Sequence, residues 1–444
     1  MTSPMPPEPN PPRGHFHHTH HGTHAGSTSP AAAWTRRRAS VLLAAIVVPL
    51  GIITALGVVL LWPHGHGPED RRLDTTYYAP GGTVVEGTVS ALQTFRCPSG
   101  DSGPGPNGDG SVTCVRAQVR LDTGPKADDR IQVDLPPEIN RAGVSAGDQM
   151  RLLHVAVGPE GSKTDYYAFV DFVRGVPMLA IAIAYAVVVI VVARFRGLRA
   201  LLGLGFAYLI LAFFMLPAML EGTSPLLVGL TGASAIMFVV LYFAHGFSTR
   251  TTTALIGTLF GLALTAVLAW WATDAARLTG LGGGDDSFLL LSSTNGLDLS
   301  KIVLCGIVIA GLGLLNDVTI TQASAVWELH ELSPHLPARR LFSGAMRIGR
   351  DHIASTVYTI AFAYAGAALP IFLLITLYER PFLTSLTSGE LAEEVVRTLV
   401  GSIGLVLAIP ITTAVGVIVV KSVSGRHHDT IAAPSHQAGS RHSL

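Results

Sequence analysis

The chain has 444 residues, 49% hydrophobic and only 14% charged, with 30 basic against 30 acidic residues and a formal net charge of zero. Soluble domains carry about 25% charged residues. This composition, with mean hydropathy +0.46, excludes an ordinary soluble globular protein and places the chain in membrane lipid. The zero net charge says nothing about partners, whereas the distribution of charge does; no nucleic-acid partner is expected.

Residues 1–40 are Pro-rich and then His-rich, with His15, His17, His18, His20, His21 and His24. Such a segment cannot bury a core and reads as a disordered cytoplasmic tail. Neutral imidazoles can take up zinc, nickel or copper. The commoner reading is a solvated low-complexity tail; the alternative is a metal-buffering one, whose binding would be loose because the tail carries no Cys and no fixed acidic partner. Arg36, Arg37 and Arg38 precede an apolar run at 41–61. That run is too long for a signal-peptide core, and no small-x-small cleavage site follows before Trp62. It reads as an uncleaved first transmembrane helix whose arginines hold its start in the cytoplasm.

Residues 62–175 contain no span and alternate with period two, which predicts an extracytoplasmic β-rich domain. Strands are expected at 83–92, 111–121, 130–135, 149–157 and 166–173, with Gly- and Pro-rich turns between them. Five short strands suit a small OB-like barrel. Cys97 and Cys114 flank the loop between the first two strands, and outside the cytoplasm they should form a disulfide. No His or third Cys stands nearby to make them a metal site instead.

Residues 176–420 read as a seven-helix membrane domain, with spans at 176–192, 201–220, 225–244, 252–271, 302–326, 353–377 and 395–420. With the first span this makes about eight transmembrane helices. Residues 421–444 read as a second disordered cytoplasmic tail. The positive-inside rule tests the threading. With both termini inside, the cytoplasmic connections hold Arg194, Arg196, Arg199, Arg250, Arg339, Arg340, Arg347 and Arg350, followed by Lys421 and Arg426. The outer connections hold only Arg277, Lys301, Arg380 and Arg397. The bias predicts a multi-pass plasma-membrane protein with the β domain outside.

The sixth span turns polar before its far edge. Asn316, Asp317, Thr319, Thr321 and Gln322 stand where hydrocarbon would still surround the helix. A carboxylate there costs about 2.5–3.5 kcal/mol on insertion scales, so it should face protein or water. Gly313, Asp317, Thr321, Ser324 and Glu328 share one helical face, and Asp351, Ser355 and Thr359 share one on the seventh span. Equal depths in an antiparallel pair bring Asp317 to Ser355, Tyr358 or Thr359, with Arg347 or Arg350 snorkelling from the boundary. The predicted polar site is therefore Asn316, Asp317, Thr321, Arg350, Asp351, Ser355 and Thr359. Thr253, Gly257, Gly261 and Thr265 form a small-residue ridge that reads as helix packing, as do Thr231, Gly232 and Ser234. Pro370 and Pro410 interrupt the ladders of the last two spans.

Enzyme signatures are missing. Glu328-Leu-His330-Glu331 is not a zinc-protease HExxH, no Walker A occurs, and no G-x-S-x-G is present. No catalysis, cofactor or metal site is expected.

The run Gly313-Leu-Leu-Asn-Asp-Val-Thr-Ile-Thr-Gln-Ala-Ser-Ala-Val-Trp-Glu-Leu resembles the YibE/F-like membrane proteins. So do Met346-Arg-Ile-Gly-Arg-Asp-His-Ile-Ala-Ser-Thr-Val and Ala363-Tyr-Ala-Gly-Ala-Ala-Leu-Pro370. The resemblance is to the actinobacterial type with an extracytoplasmic N-terminal domain and covers roughly 160–420. It implies the multi-pass topology. The expected function is that of a transporter or exporter coupled to a proton or cation gradient, with an ion or small molecule as substrate and room for oligomerisation. The alternative is a non-transporting envelope scaffold or sensor whose β domain binds a partner.

Overall fold

Where apolar residues run without interruption, the backbone closes its hydrogen bonds within a helix; where they alternate, it pairs into strands. Both regimes occur in the computed structural model of the chain, which describes residues 30–65, 82–98, 111–136, 139, 143–157, 164–282, 298–378 and 381–424. The His-rich tail, most of the loop after Cys97 and the end of the C-terminal tail lie outside the described residues.

Helix α1, Pro30–Leu60, is followed by β1 (Thr83–Pro98), β2 (Ser111–Leu121), β3 (Arg130–Leu135), β4 (Gln149–Val157) and β5 (Thr164–Phe172). These form one antiparallel sheet in the order β3-β2-β1-β4-β5. All five expected strands are present, and β1 runs further than its alternation suggested. Its length lets it serve both halves of the sheet: Thr83–Thr88 pairs with β4, and Gly87–Pro98 with β2. The overlap at Gly87 is tight, since a Cβ there would lie 2.6 Å from Val119 Cγ1 and 2.8 Å from the Arg120 carbonyl oxygen. Alternate residues such as Val85, Val119, Val133, Met150 and Leu152 fill the sheet's own core. On β5, Asp165 accepts from Lys126 and lies 3.1 Å from His154 Nε2. These two partners, Lys126 foremost, hold the Asp165 carboxyl below the usual carboxylate range.

The remaining elements are helical: α2 (Gly175–Ile210), a π-type turn at Leu211–Met215, α3 (Leu216–Leu220), α4 (Pro225–His245), α5 (Thr249–Ala275), α6 (Leu299–Leu332), α7 (Ala338–Ala367), α8 (Leu369–Leu377), α9 (Phe382–Leu386) and α10 (Gly389–Ser424). Among the described residues, six helices are long and apolar enough to cross a membrane, or seven when α7 and α8, bent by 60°, count as one broken span. Two expected spans, 176–192 and 201–220, fall in the single apolar run Gly175–Leu220. That run is not straight. Arg194 departs from helical geometry with φ 53°, and a Cβ on Gly197 would lie 2.4 Å from the Val189 carbonyl oxygen. Residues so far apart in a straight helix would be separated by about 12 Å, so the chain folds back sharply there.

Two contacts fix which helix ends share a face. Trp62, just past α1, stacks on Phe214, and the Glu221 carboxylate accepts the backbone N–H groups of His64 and Gly65 at 3.1 and 2.8 Å. The end of α1 and the end of α3 therefore lie together. At the opposite end of α1, Leu43 packs with Val419 of α10.

Helices α5, α6 and α10 form the centre of the helical part, joined through small residues. A Cβ on Gly257 would lie 2.0 Å from Thr412 Oγ1, and one on Gly404 would lie 2.0 Å from Thr265 Oγ1. Gly261 meets Leu315 and Ala408, and Gly416 meets Val326. The ridge read from sequence as packing is thus a packing ridge. Gly404→Ala should lower the thermal midpoint of the purified protein in detergent, because overpacking costs about 1–3 kcal/mol. Adding Thr265→Ala should recover most of the loss, whereas a Gly404→Ala midpoint equal to that of the parent chain contradicts this packing.

Candidate functional site

Helix α6 has two polar faces, and they differ in surroundings. The inner face carries Thr319 and Gln322, both almost wholly buried. Gln322, 2% exposed, donates from Nε2 to the Ala345 carbonyl at 2.9 Å and to Thr413 Oγ1 at 2.7 Å. The close approach of α7 here is set by Gly349, whose Cβ would stand 2.9 Å from Gln322 Oε1. Thr319 Oγ1 lies 2.6 Å from Thr258 Oγ1. Each hydroxyl also reaches its own helix, at the carbonyls of Leu315 and Ala254. A hydroxyl has one proton. One of the two therefore serves its own helix while the other bridges.

The outer face carries Gly313, Asp317, Thr321, Ser324 and Glu328, exposed or half-buried. Asp317 is 70% exposed and its Oδ2 lies 3.7 Å from Nε2 of His352 on α7, itself 29% exposed. That separation is an ion-pair distance, longer than a hydrogen bond. His352 Nε2 is a buried atom with no hydrogen-bond partner, and so is Oδ1 of Asn316, the residue before Asp317 on α6. A carboxylate and an imidazole thus meet at the α6–α7 boundary, a set able to accept and release a proton or to take up a cation.

The sequence placed Asp317 opposite Ser355, Tyr358 or Thr359; the structure places it opposite His352. The cause is register. Helix α7 begins at Ala338, directly after a short turn, so its polar first half still lies beside α6 when Asp317 is reached. Ser355 and Thr359 lie further along α7. Both are exposed, as are Arg350 and Asp351, because α7 packs inward through Gly349, Thr356 and Ile360. Of the predicted residues, Asp317 belongs to the pair and Asn316 and Thr321 stand within about one turn of it on α6, while Arg350, Asp351, Ser355 and Thr359 line the outer face of α7. His352 was missed although it stands within the motif Arg350-Asp351-His352; Thr258, Thr412 and Thr413 gave no signal apart from their helical spacing to Gly residues.

At the other end of this helix group, Arg397 is part of α10 and not of a connection. It pairs with Glu394 at 3.0 Å, near Tyr364 on the last turn of α7 before the bend at Ala368. Glu393 is buried and accepts the Gly282 N–H at 3.3 Å. No group of three His, Cys, Asp or Glu that could hold a metal ion occurs among the described residues.

A family model described as YibE/F-like protein matches residues 181–422, more than half of the chain. The chain belongs to the YibE/F-like family. The match runs from inside α2 to the end of α10 and so includes Asn316, Asp317 and His352, while the sheet lies outside it. Searches of curated proteins and of solved structures find no match. Within this YibE/F-like region, Gln322 is the polar group that ties three helices together. Gln322→Leu leaves the Thr413 hydroxyl and the Ala345 carbonyl without that donor, and losing a buried partner costs about 1–3 kcal/mol. The thermal midpoint in detergent should drop by several degrees, more than for the exposed neighbour Glu331→Leu.

Proposed function

We propose that this YibE/F-like protein is a transporter, exporting an ion or small molecule, with the Asp317–His352 pair as its proton or cation acceptor. The observation that carries this reading is the pair itself. A charged carboxylate is expensive at membrane depth and is retained there for ion pathways and proton relays. An interhelical hydrogen bond alone contributes only about 0.6 kcal/mol, too little to account for a buried-depth charge. The broken helix α7–α8 supports the same reading, since unwound backbone inside a membrane is tolerated where it lines a cavity. Asn316 and Thr321 supply polar lining beside the pair. The test uses everted vesicles and a panel of labelled ions and small metabolites under an imposed pH gradient. The parent chain should accumulate at least one solute, an uncoupler should abolish this, and Asp317→Asn should lose it with unchanged protein level. Equal accumulation by Asp317→Asn and the parent chain overturns the reading.

Eight crossings fit this function best. The end of α1 and the end of α3 share a face, so the stretch Gly175–Leu220 has to leave the membrane on the side where it entered. Its 46 residues would extend about 69 Å if straight, more than twice a hydrocarbon core of about 30 Å. Two crossings folded back near Arg194 satisfy both constraints. Both termini are then cytoplasmic in the plasma membrane, on the face carrying Arg250 and Lys421, and the sheet is extracytoplasmic.

We read that sheet as OB-like, because β1 is shared between two halves and the edge strands β3 and β5 approach each other. We also infer a Cys97–Cys114 disulfide. Cys114 pairs in register with Phe95 and Cys97 with Val112, so the two cysteines are diagonal neighbours on adjacent strands. Intact mass after alkylation without reductant should show one modifiable thiol at most, Cys305, and three after reduction in denaturant. Three modified thiols without reductant would contradict the pairing.

A further inference from the structure

The outer face of α6 and α7 carries charge at a depth where lipid offers no solvation. Lys301 and Asp298, paired at 2.9 Å, mark one end of α6. About 20 residues span the hydrocarbon, which puts the other boundary near Thr321 and leaves Asp317 inside it. The contact of Asp317 with His352 sets the level of α7: Asp351 lies at the same depth, and Ser355 and Thr359 lie one and two turns deeper. All three are exposed. So are Arg347 and Arg350, and so are Tyr358 at 65% and Phe362 at 74%. No ion pair among the described residues takes up Arg347, Arg350 or Asp351. Arginines can snorkel to the headgroups, but Asp317 and Asp351 are too short to do so. Gly313 and Gly366 on these helices have open space where a Cβ would stand, which permits close approach of another backbone.

We propose that this face is the contact between two copies of the chain related by a two-fold axis, with the outer face of α7 from one copy closing over the Asp317–His352 pair of the other. The sign pattern selects this occupant. A two-fold contact requires a patch complementary to itself, and this patch carries acids (Asp317, Asp351) and bases (Arg347, Arg350) together. An anionic lipid would answer the arginines but repel the carboxylates. An uncharged helix of another protein would leave both unpaired. The closing of the pair rests on the transport reading above; the dimer itself does not.

The test is cysteine cross-linking in native membranes on a Cys305→Ala background. Ser355→Cys, Thr359→Cys and Phe362→Cys are oxidised in turn with copper phenanthroline, with Val187→Cys on the exposed face of α2 as control. At least one α7 position should give a reducible dimer several-fold above the control, and Asp351→Arg should reduce it several-fold, with Arg350→Asp in the same chain restoring it. Cross-linking at none of the three positions above control overturns the proposal. So does native mass spectrometry from nanodiscs that finds one chain carrying anionic lipid, or one chain with a different protein. A dimer that persists in Asp317→Asn while solute accumulation is unchanged would retain the interface and reject the transport reading, so the two can fail separately.

Discussion

Glycine facing threonine sets the distance between the central helices, and the rest of the helical part follows from that distance. Gly257 and Gly404 bring α5 and α10 together until each helix's backbone meets a threonine hydroxyl of the other. In lipid, helices gain nothing by leaving an apolar solvent, so association depends on close packing and on polar groups finding partners. The seam provides both. Thr258 meets Thr319, and Gln322 joins α6 to α7 and α10. Each of these hydroxyls can also fall back on the carbonyl one turn earlier in its own helix, as Thr265 and Thr412 do, so no strict geometry is demanded of every pair.

A seam this tight has a consequence for where chemistry can occur. A methyl group added at Gly257 or Gly404 already collides with its neighbour, so no solute passes between α5, α6 and α10 in this arrangement. A charged pair lies instead at the edge of the seam, where α7 packs on α6. Asp317 and His352 meet there, and α7 breaks into α8 near Arg397 on the opposite side. The proposed path therefore runs along α7, while α5, α6 and α10 act as its fixed support.

Much of this architecture was legible in residue patterns. The five strands follow from alternation, since a half-buried strand must expose every second residue. The membrane helices follow from long charge-free runs, and the packing ridge on α5 from small residues at helical spacing. Depth was legible too: Asp317 was recognised because a carboxylate stood where an apolar residue was required. What the pattern did not carry was rotation and register between helices. The stripe from Gly313 to Glu328 reads as one face of a helix, and it is one, but it points outward. The inner face, with Thr319 and Gln322, is just as polar, and composition alone does not distinguish a polar face against protein from one directed away from it. His352 was passed over because its partner depends on where α7 begins, and the polar run from Ala338 reads equally as connection or as helix.

The reversal near Arg194 is the local irregularity on which the proposed count of crossings rests. The apolar run Gly175–Leu220 reads from sequence as two spans, because Arg194, Arg196 and Arg199 interrupt it. The contact of Glu221 with the backbone after α1 supports the proposed pair of crossings, because it places the far end of the run beside the end of α1. The positive φ at Arg194 and the close approach of Gly197 to Val189 are the means by which the chain turns within so few residues. A bulky residue at 197 would strike a backbone carbonyl, which cannot rotate away as a side chain can. The position is thus held to glycine by the turn, and the turn is what the proposed pair of crossings requires.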